Sequence, residues 1–343
     1  MIDLNGIRLR NRIVSAATFL GYGAKPKGSV LGYGTSPVGR FLDMRRFGAV
    51  TVRTLTLEPR EGQFTLKEDW NLWDFPQMMR RYRQVLRPID SGWLNAFGWC
   101  NIGIERYFAE YYPRTMKLNR IISLGGFSVE EFCELVDYVN SRAGPGEIAA
   151  VEFNISCHNV NFDFEAIVVD VLSQAVERSR HPVILKISPD VDYIHHSRLA
   201  EDNGVAAISA MNTVKGLRLN PVTGRPLLSN VYGGMSGRAI KPIGLRVVAE
   251  LRRATRLPII AGAGIRNYDD CREYFWAGAS AVSLGSEVFL ASWPGYILAP
   301  LKARRLMRLV SLIERKWTDW VPGPPLEEPV STYPVTVASP PRD

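Results

Sequence analysis

Eight short, largely apolar and β-branched runs recur along the chain, each followed by a polar or amphipathic stretch, and no other feature narrows the fold so far. They lie at Arg12–Ala17, Ala49–Thr54, Arg120–Leu124, Ala149–Asn154, Val183–Ile187, Ala206–Met211, Pro258–Gly262 and Ala281–Leu284. Runs that stay apolar instead of alternating suit parallel strands buried on both faces. The intervening stretches read as helices. Ser128-Val129-Glu130-Glu131 has the form of a capping box. Pro242 suits a first helical turn, and Leu245, Val248 and Leu251 follow it at helical spacing. Eight strands with helices between them predict an α/β fold, a (β/α)8 TIM barrel, over an open doubly wound sheet. A chain of 343 residues, 46% hydrophobic, can bury one such core.

The spacing predicts one domain over 1–320, interrupted after the second strand by an insertion at 55–116 rich in Trp, Tyr and Arg. Long insertions on a barrel commonly serve as lids or binding loops. From 321 to 343 the chain is Pro-rich, loses apolar periodicity and reads as a mobile tail. There are no internal repeats. The four cysteines, at 100, 133, 157 and 271, are too far apart to suggest a disulfide framework or a metal pair. With no signal peptide in view they point to a reducing, cytoplasmic setting. No run approaches the ~20 apolar residues of a membrane span. The net charge of +8 is scattered, which suits a solvated surface better than a nucleic-acid footprint. Of the 42 basic residues 33 are Arg, so a Lys inside a strand stands out.

Side chains at the C-terminal ends of barrel strands face the active site. Those ends carry Arg53-Thr54, Asn154 with Cys157, Lys186, Asn212-Thr213, Gly262-Ala263-Gly264 and Gly285-Ser286. The set holds a thiol, an amine, a guanidinium and several amides. It has no carboxylate pair for glycoside chemistry, no Ser-His-Asp arrangement and no His cluster for metal. His195-His196 point apart on a helix and read as surface residues. Cys157, inside Asn154-Ile155-Ser156-Cys157-His158-Asn159, is either an inert buried thiol or a proton acceptor flanked by amides that hold a flat ligand. Lys186, within Val183-Ile184-Leu185-Lys186-Ile187, needs a counter-charge, an anion or a cofactor. A structural ion pair and a Schiff-base lysine, as in an aldolase, are the alternatives. The small-residue turns after the seventh and eighth strands suit a phosphate held on backbone amides. The Gly-rich Tyr232–Gly237 reads as a loop that could wall the same pocket.

Taken together these segments resemble the dihydroorotate dehydrogenase family, in its soluble class with a cysteine base. The resemblance spans about 7–287. It rests on the Cys157 motif, on Thr54-Leu55-Thr56-Leu57-Glu58-Pro59-Arg60-Glu61-Gly62, on Leu94-Asn95-Ala96-Phe97-Gly98, and on Gly233-Gly234-Met235-Ser236-Gly237 with Ile240-Lys241-Pro242. The resemblance implies an FMN-containing barrel that oxidises dihydroorotate to orotate in pyrimidine synthesis. Cys157 would then remove the C5 proton while hydride leaves C6 for the flavin. Asn95, Asn154, Asn159, Asn212 and Thr213 match substrate positions. Ala17, Arg53, Thr54, Asn154, Lys186, Gly237, Ala263, Gly264, Gly285 and Ser286 match FMN positions, with no metal.

The family pattern is departed from at Arg53, where Lys is usual, at His158, where Pro is usual, and at Ala261 and Ala263, where glycines are usual. The first strand, through Ala16-Ala17-Thr18, also lacks a glycine. These exchanges leave room for a relative acting on another dihydropyrimidine or enone. A flavin-binding protein without turnover would require an inert Cys157. The membrane-bound class, with a serine base and an N-terminal anchor, fits less well. The resemblance further implies a homodimer. Electrons would pass to fumarate or to a separate subunit carrying FAD and an iron–sulfur cluster, since this chain has no Cys cluster for one.

Overall fold

The computed structural model describes residues 1–17, 21–24, 41–61, 80, 83–157, 159–160, 162–286, 298–317, 320 and 322–326. Eight parallel strands close into a barrel: β3 (Ile13–Ser15), β4 (Ala49–Thr51), β7 (Arg120–Leu124), β8 (Ala150–Asn154), β9 (Val183–Ile187), β10 (Ala207–Ala210), β13 (Ile259–Ala261) and β14 (Ala281–Leu284). They neighbour one another in chain order, and β14 returns to pair with β3. All eight coincide with the apolar runs read from the sequence. Ladders pair Asn154 with Lys186 and Lys186 with Ser209, which sets three polar side chains at one height around the ring.

Alternation along the strands sorts the barrel interior into layers. The lowest is apolar, with Val14, Ile121, Ala150, Ile184, Ala207, Ile260 and Ala281. An antiparallel hairpin, β1 (Ile2–Leu4) and β2 (Ile7–Leu9), plugs it with Ile2, Leu4, Ile7 and Leu9. Burial of Ile7 and Leu9 contributes about 2 kcal/mol each. One layer higher the interior turns polar, and that change marks the floor of the site.

Helices cover the outside. Val129–Arg142 begins where predicted: Ser128 Oγ accepts from the Glu131 N–H at 3.2 Å. The Glu131 carboxylate accepts from the Phe127 N–H, one residue earlier than in a reciprocal box. Lys241–Ala254 has Pro242 in its first turn. Its buried face is Gly244, Val247, Val248 and Leu251, with Leu245 only partly covered. Ala299–Lys316 buries Ala299, Ala303, Leu306, Leu309, Val310 and Ile313. Its C-terminal end is tied to the barrel by Arg12, whose guanidinium donates to the carbonyls of Ser280 and Trp317, each at 2.6 Å, and to that of Trp320.

The expected insertion contains β5 (Leu86–Ile89) and β6 (Gly92–Asn95). These join β11 (Val214–Leu217) and β12 (Tyr232–Gly237) in a four-stranded antiparallel sheet beside the barrel mouth. The Gly-rich segment 232–237 is therefore a strand, not a loop. Its glycines allow close approach: a Cβ on Gly234 would collide with the Thr213 hydroxyl. His195 and His196 do diverge, but only His195 is at the surface. His196 is buried and meets Glu165 Oε2 at 2.9 Å, because its side of the helix Tyr193–Asp202 faces the barrel. No described helix is long and apolar enough to cross a membrane. At the start of the Pro-rich tail, Arg252 donates to Gly323 O at 3.2 Å and Arg253 to Leu326 O at 2.7 Å, so 322–326 lie along the helix Lys241–Ala254. The rest of the tail falls outside the described residues, as do Thr18, Gly62 and His158.

Candidate active site

One cavity sits over the C-terminal ends of the barrel strands, roofed by the four-stranded sheet. Every residue given a catalytic, substrate or FMN role in the sequence reading lines it. Ala17, Thr54, Arg53, Asn154, Lys186, Asn212 and Thr213 come from strand ends. Cys157 and Asn159 come from the loop after β8, Asn95 and Gly237 from the roof, and Ala263, Gly264, Gly285 and Ser286 from the last two turns. The wall also includes Trp99, Glu152, Ser209 and Ser283, which the sequence reading left without a role. Glu152 had a legible signal: it is an acid in an apolar strand, two residues before Asn154 and hence on the same face.

The amides are held firmly. Asn95 Nδ2 donates to Gly234 O at 2.8 Å, and its Oδ1 accepts from Asn159 Nδ2 at 3.1 Å. Asn212 Nδ2 donates to Asn154 Oδ1 at 3.2 Å and to Ser156 O at 3.1 Å. Its Oδ1 accepts from the Thr213 N–H at 2.9 Å. Asn154 Nδ2 in turn donates to Thr54 Oγ1 at 3.0 Å. Three buried polar atoms on the cavity wall, Asn159 Oδ1, Trp99 Nε1 and Ser236 Oγ, have no protein partner among the described residues. Unpartnered polar atoms on a cavity wall are available to hydrogen-bond a ligand.

Two cations line the cavity. Lys186 Nζ is 3.8 Å from Glu152 Oε1, which realises the ion pair among the alternatives, at the cavity wall. Arg53 is buried, donating from Nε to Cys100 O at 2.5 Å and from Nη2 to Cys100 Sγ at 2.6 Å. Cys157 is partly open to the cavity but has dense protein behind it. That burial pushes its thiol above the ordinary cysteine value, against the Asn159 N–H, Lys186, the Val160 N–H and Arg53, which pull it down. A second cavity adjoins the first, sharing Gly98, Trp99, Cys157 and Asn159 and carrying Arg60 and Lys215.

The turn after β13 has the close backbone approach that suits an anion, and Gly285 and Ser286 after β14 line the cavity beside it. Gly264 has φ +65°, and a Cβ there would lie 2.7 Å from Gly237 O. Only glycine fits while keeping the backbone close to a ligand. The Tyr274 hydroxyl braces the turn by donating to Ala263 O at 2.8 Å. A flat, polar, phosphate-bearing ring system matches this donor set: polar atoms at the floor, small residues at one end and, among the described residues, no carboxylate in the cradle.

Comparison with known proteins agrees. The family model described as dihydroorotate dehydrogenase matches residues 4–294. Among similar proteins is the dihydroorotate dehydrogenase B (NAD(+)) catalytic subunit of Bacteroides thetaiotaomicron, 31% identical over 298 residues, covering 84% of this chain and 88% of that one. The protein of the same name from Geotalea daltonii is 33% identical over 298 residues, covering 84% and 87%. That from Bacteroides fragilis is 32% identical over the same length, covering 84% and 88%. A barrel whose mouth gathers these amides around one thiol, matched along most of its length by one family, belongs to the dihydroorotate dehydrogenase family.

Proposed function

We propose that this protein oxidises dihydroorotate to orotate, in pyrimidine biosynthesis, with FMN as the resident hydride acceptor. The observation that carries the reading is the convergence of Cys157 with Asn95, Asn154, Asn159, Asn212 and Thr213 on one cavity above the barrel. FMN, when bound, supplies the acceptor for the hydride leaving C6 of the substrate.

Cys157 Sγ takes the proton from C5. The Asn159 and Val160 N–H groups and the charges of Lys186 and Arg53 favour the thiolate this requires. The amides grip the edge of the substrate ring, which presents both donors and acceptors. Because their partners already fix them, little ordering is required on binding. Gly237, Ala263, Gly264, Gly285 and Ser286 would hold the FMN phosphate on backbone amides. Ala17, Arg53, Thr54, Asn154 and Lys186 would surround its ring.

The relatives' name, a catalytic subunit of an NAD(+) enzyme, supports a separate partner subunit. We assign to that partner the FAD and iron–sulfur relay, and a homodimer to this chain. The test is anaerobic. Dihydroorotate added to the purified yellow protein is expected to bleach the flavin band within seconds. A yellow protein that stays unbleached would overturn the substrate, with Arg53 as the first position to revert.

A further inference from the structure

Glu152 is the one acid among the described residues of the cavity wall, against the two cations Arg53 and Lys186, and neither the proton nor the hydride transfer makes use of it. The β8–β9 ladder sets Glu152 level with Ile184, two positions below Lys186. The carboxylate thus belongs to the layer beneath the ammonium, on the side away from the barrel mouth. The two side chains are 6% and 12% exposed, and Oε1 and Nζ stand 3.8 Å apart. That separation exceeds a hydrogen bond, and no described group accepts one from Nζ. The pair therefore meets through charge alone, and the three ammonium donors remain open to a ligand in the cavity. The carboxylate is held from another strand, where Ser123 Oγ donates to Oε1 at 2.9 Å.

An anion hydrogen-bonded to Lys186 Nζ lies at most about 7 Å from Glu152 Oε1. At that range, with an effective dielectric of about 20, one unit charge shifts an equilibrium that creates another by more than tenfold. Reduction of a flavin is such an equilibrium: a neutral ring that takes up two electrons and one proton is left with one negative charge. Lys186 favours that charge, and the carboxylate behind it opposes it. We infer that Glu152 tunes the cofactor: its charge, set behind Lys186, lowers the reduction potential of the bound FMN. The reduced ring is thereby a stronger donor to whatever takes its electrons next. Glu152 does this without touching the ring and without occupying a donor of Lys186. The inference deepens the FMN reading of the cavity and rests on it.

Glu152→Gln isolates the charge, because Ser123 and Lys186 meet the same oxygen: a Gln with Oε1 in that place keeps both contacts and loses only the ionisation. Ser123→Ala is the converse control, losing the hydrogen bond and keeping the charge. The experiment measures the two-electron potential of the bound flavin by dye-mediated reduction at pH 7, in wild type and both variants, with flavin content and Tm alongside. Expected in Glu152→Gln is a reduction equilibrium moved at least tenfold towards the reduced ring, a rise of about 30 mV or more for two electrons. Ser123→Ala should move it less than threefold. A potential that is unchanged or lower in Glu152→Gln overturns the proposal, and so does a shift in Ser123→Ala as large as that in Glu152→Gln. If Glu152→Gln holds no flavin, Glu152→Asp, which draws the carboxylate back by one methylene, decides in its place: a smaller rise is expected, and no rise overturns the proposal. None of these measurements uses dihydroorotate. A yellow protein that dihydroorotate fails to bleach therefore overturns the substrate, while the potentials still decide the role of Glu152. A protein that takes up no FMN fails the cofactor reading and this proposal with it.

Discussion

At the scale of single residues the site turns on a thiol in a difficult setting. Burial raises the Cys157 thiol, while two backbone N–H groups and two cations lower it. Because burial wins, the thiol is mostly protonated at neutral pH, and the thiolate fraction grows as pH rises. Flavin bleaching by dihydroorotate should therefore accelerate from neutral to alkaline pH and level off once the thiolate dominates; stopped-flow traces across that range check it. Cys157→Ser should slow bleaching by roughly 10²–10⁴-fold, the usual worth of a positioned base, and shift the remaining rate to higher pH. Arg53 commits two nitrogens to the Cys100 carbonyl and sulfur, a two-pronged contact that an ammonium cannot copy. Arg53→Lys should cost about 1.5 kcal/mol, roughly tenfold in bleaching rate, from one lost charge-assisted bond. Combining it with Cys100→Ala should cost little more. Cys157 and its amides were legible in the sequence because one motif holds them in consecutive order. Glu152 stood out only as an acid in an apolar strand; its partners were not legible, since Ser123 and Lys186 come from neighbouring strands and only the closed barrel brings them together.

At the scale of elements, the eight barrel strands were legible because burial on both faces leaves each one apolar throughout. The four-stranded sheet was not. β5 carries Arg87 and Pro88 in four residues, and β12 is half glycine, so neither has strand-like composition. Tertiary contact decides both: Gly234 and Asn95 pair across the roof, and larger residues would not fit. The same closeness governs the turn after β13. Gly264→Ala would put a methyl group 2.7 Å from Gly237 O at a φ of +65°. The turn would have to move, at a local cost of about 1–2 kcal/mol. Titration of flavin-free protein with FMN should show at least tenfold weaker binding, with circular dichroism unchanged. Undiminished FMN affinity would remove this turn from the phosphate site.

At the scale of the whole molecule, the β1–β2 hairpin closes the bottom of the barrel, while Arg12 ties the start of β3 to the far end of the helix Ala299–Lys316. One guanidinium serves three carbonyls, on Ser280, Trp317 and Trp320, in a buried setting. Arg12→Leu strands those acceptors and should lower stability by about 3 kcal/mol. A denaturant midpoint that falls while m stays constant would show it. Bleaching chemistry at the opposite end of the barrel should be untouched below the transition. Arg12 and Trp317 stand 305 positions apart in the chain. During synthesis the guanidinium emerges 268 to 308 residues before its acceptors. Until then β3 lacks its neighbour β14, and the barrel remains an open sheet with two unmatched edges. A chain stopped before Trp317 leaves the clamp incomplete, so barrel closure and the anchoring of the helix Ala299–Lys316 are coupled through one side chain.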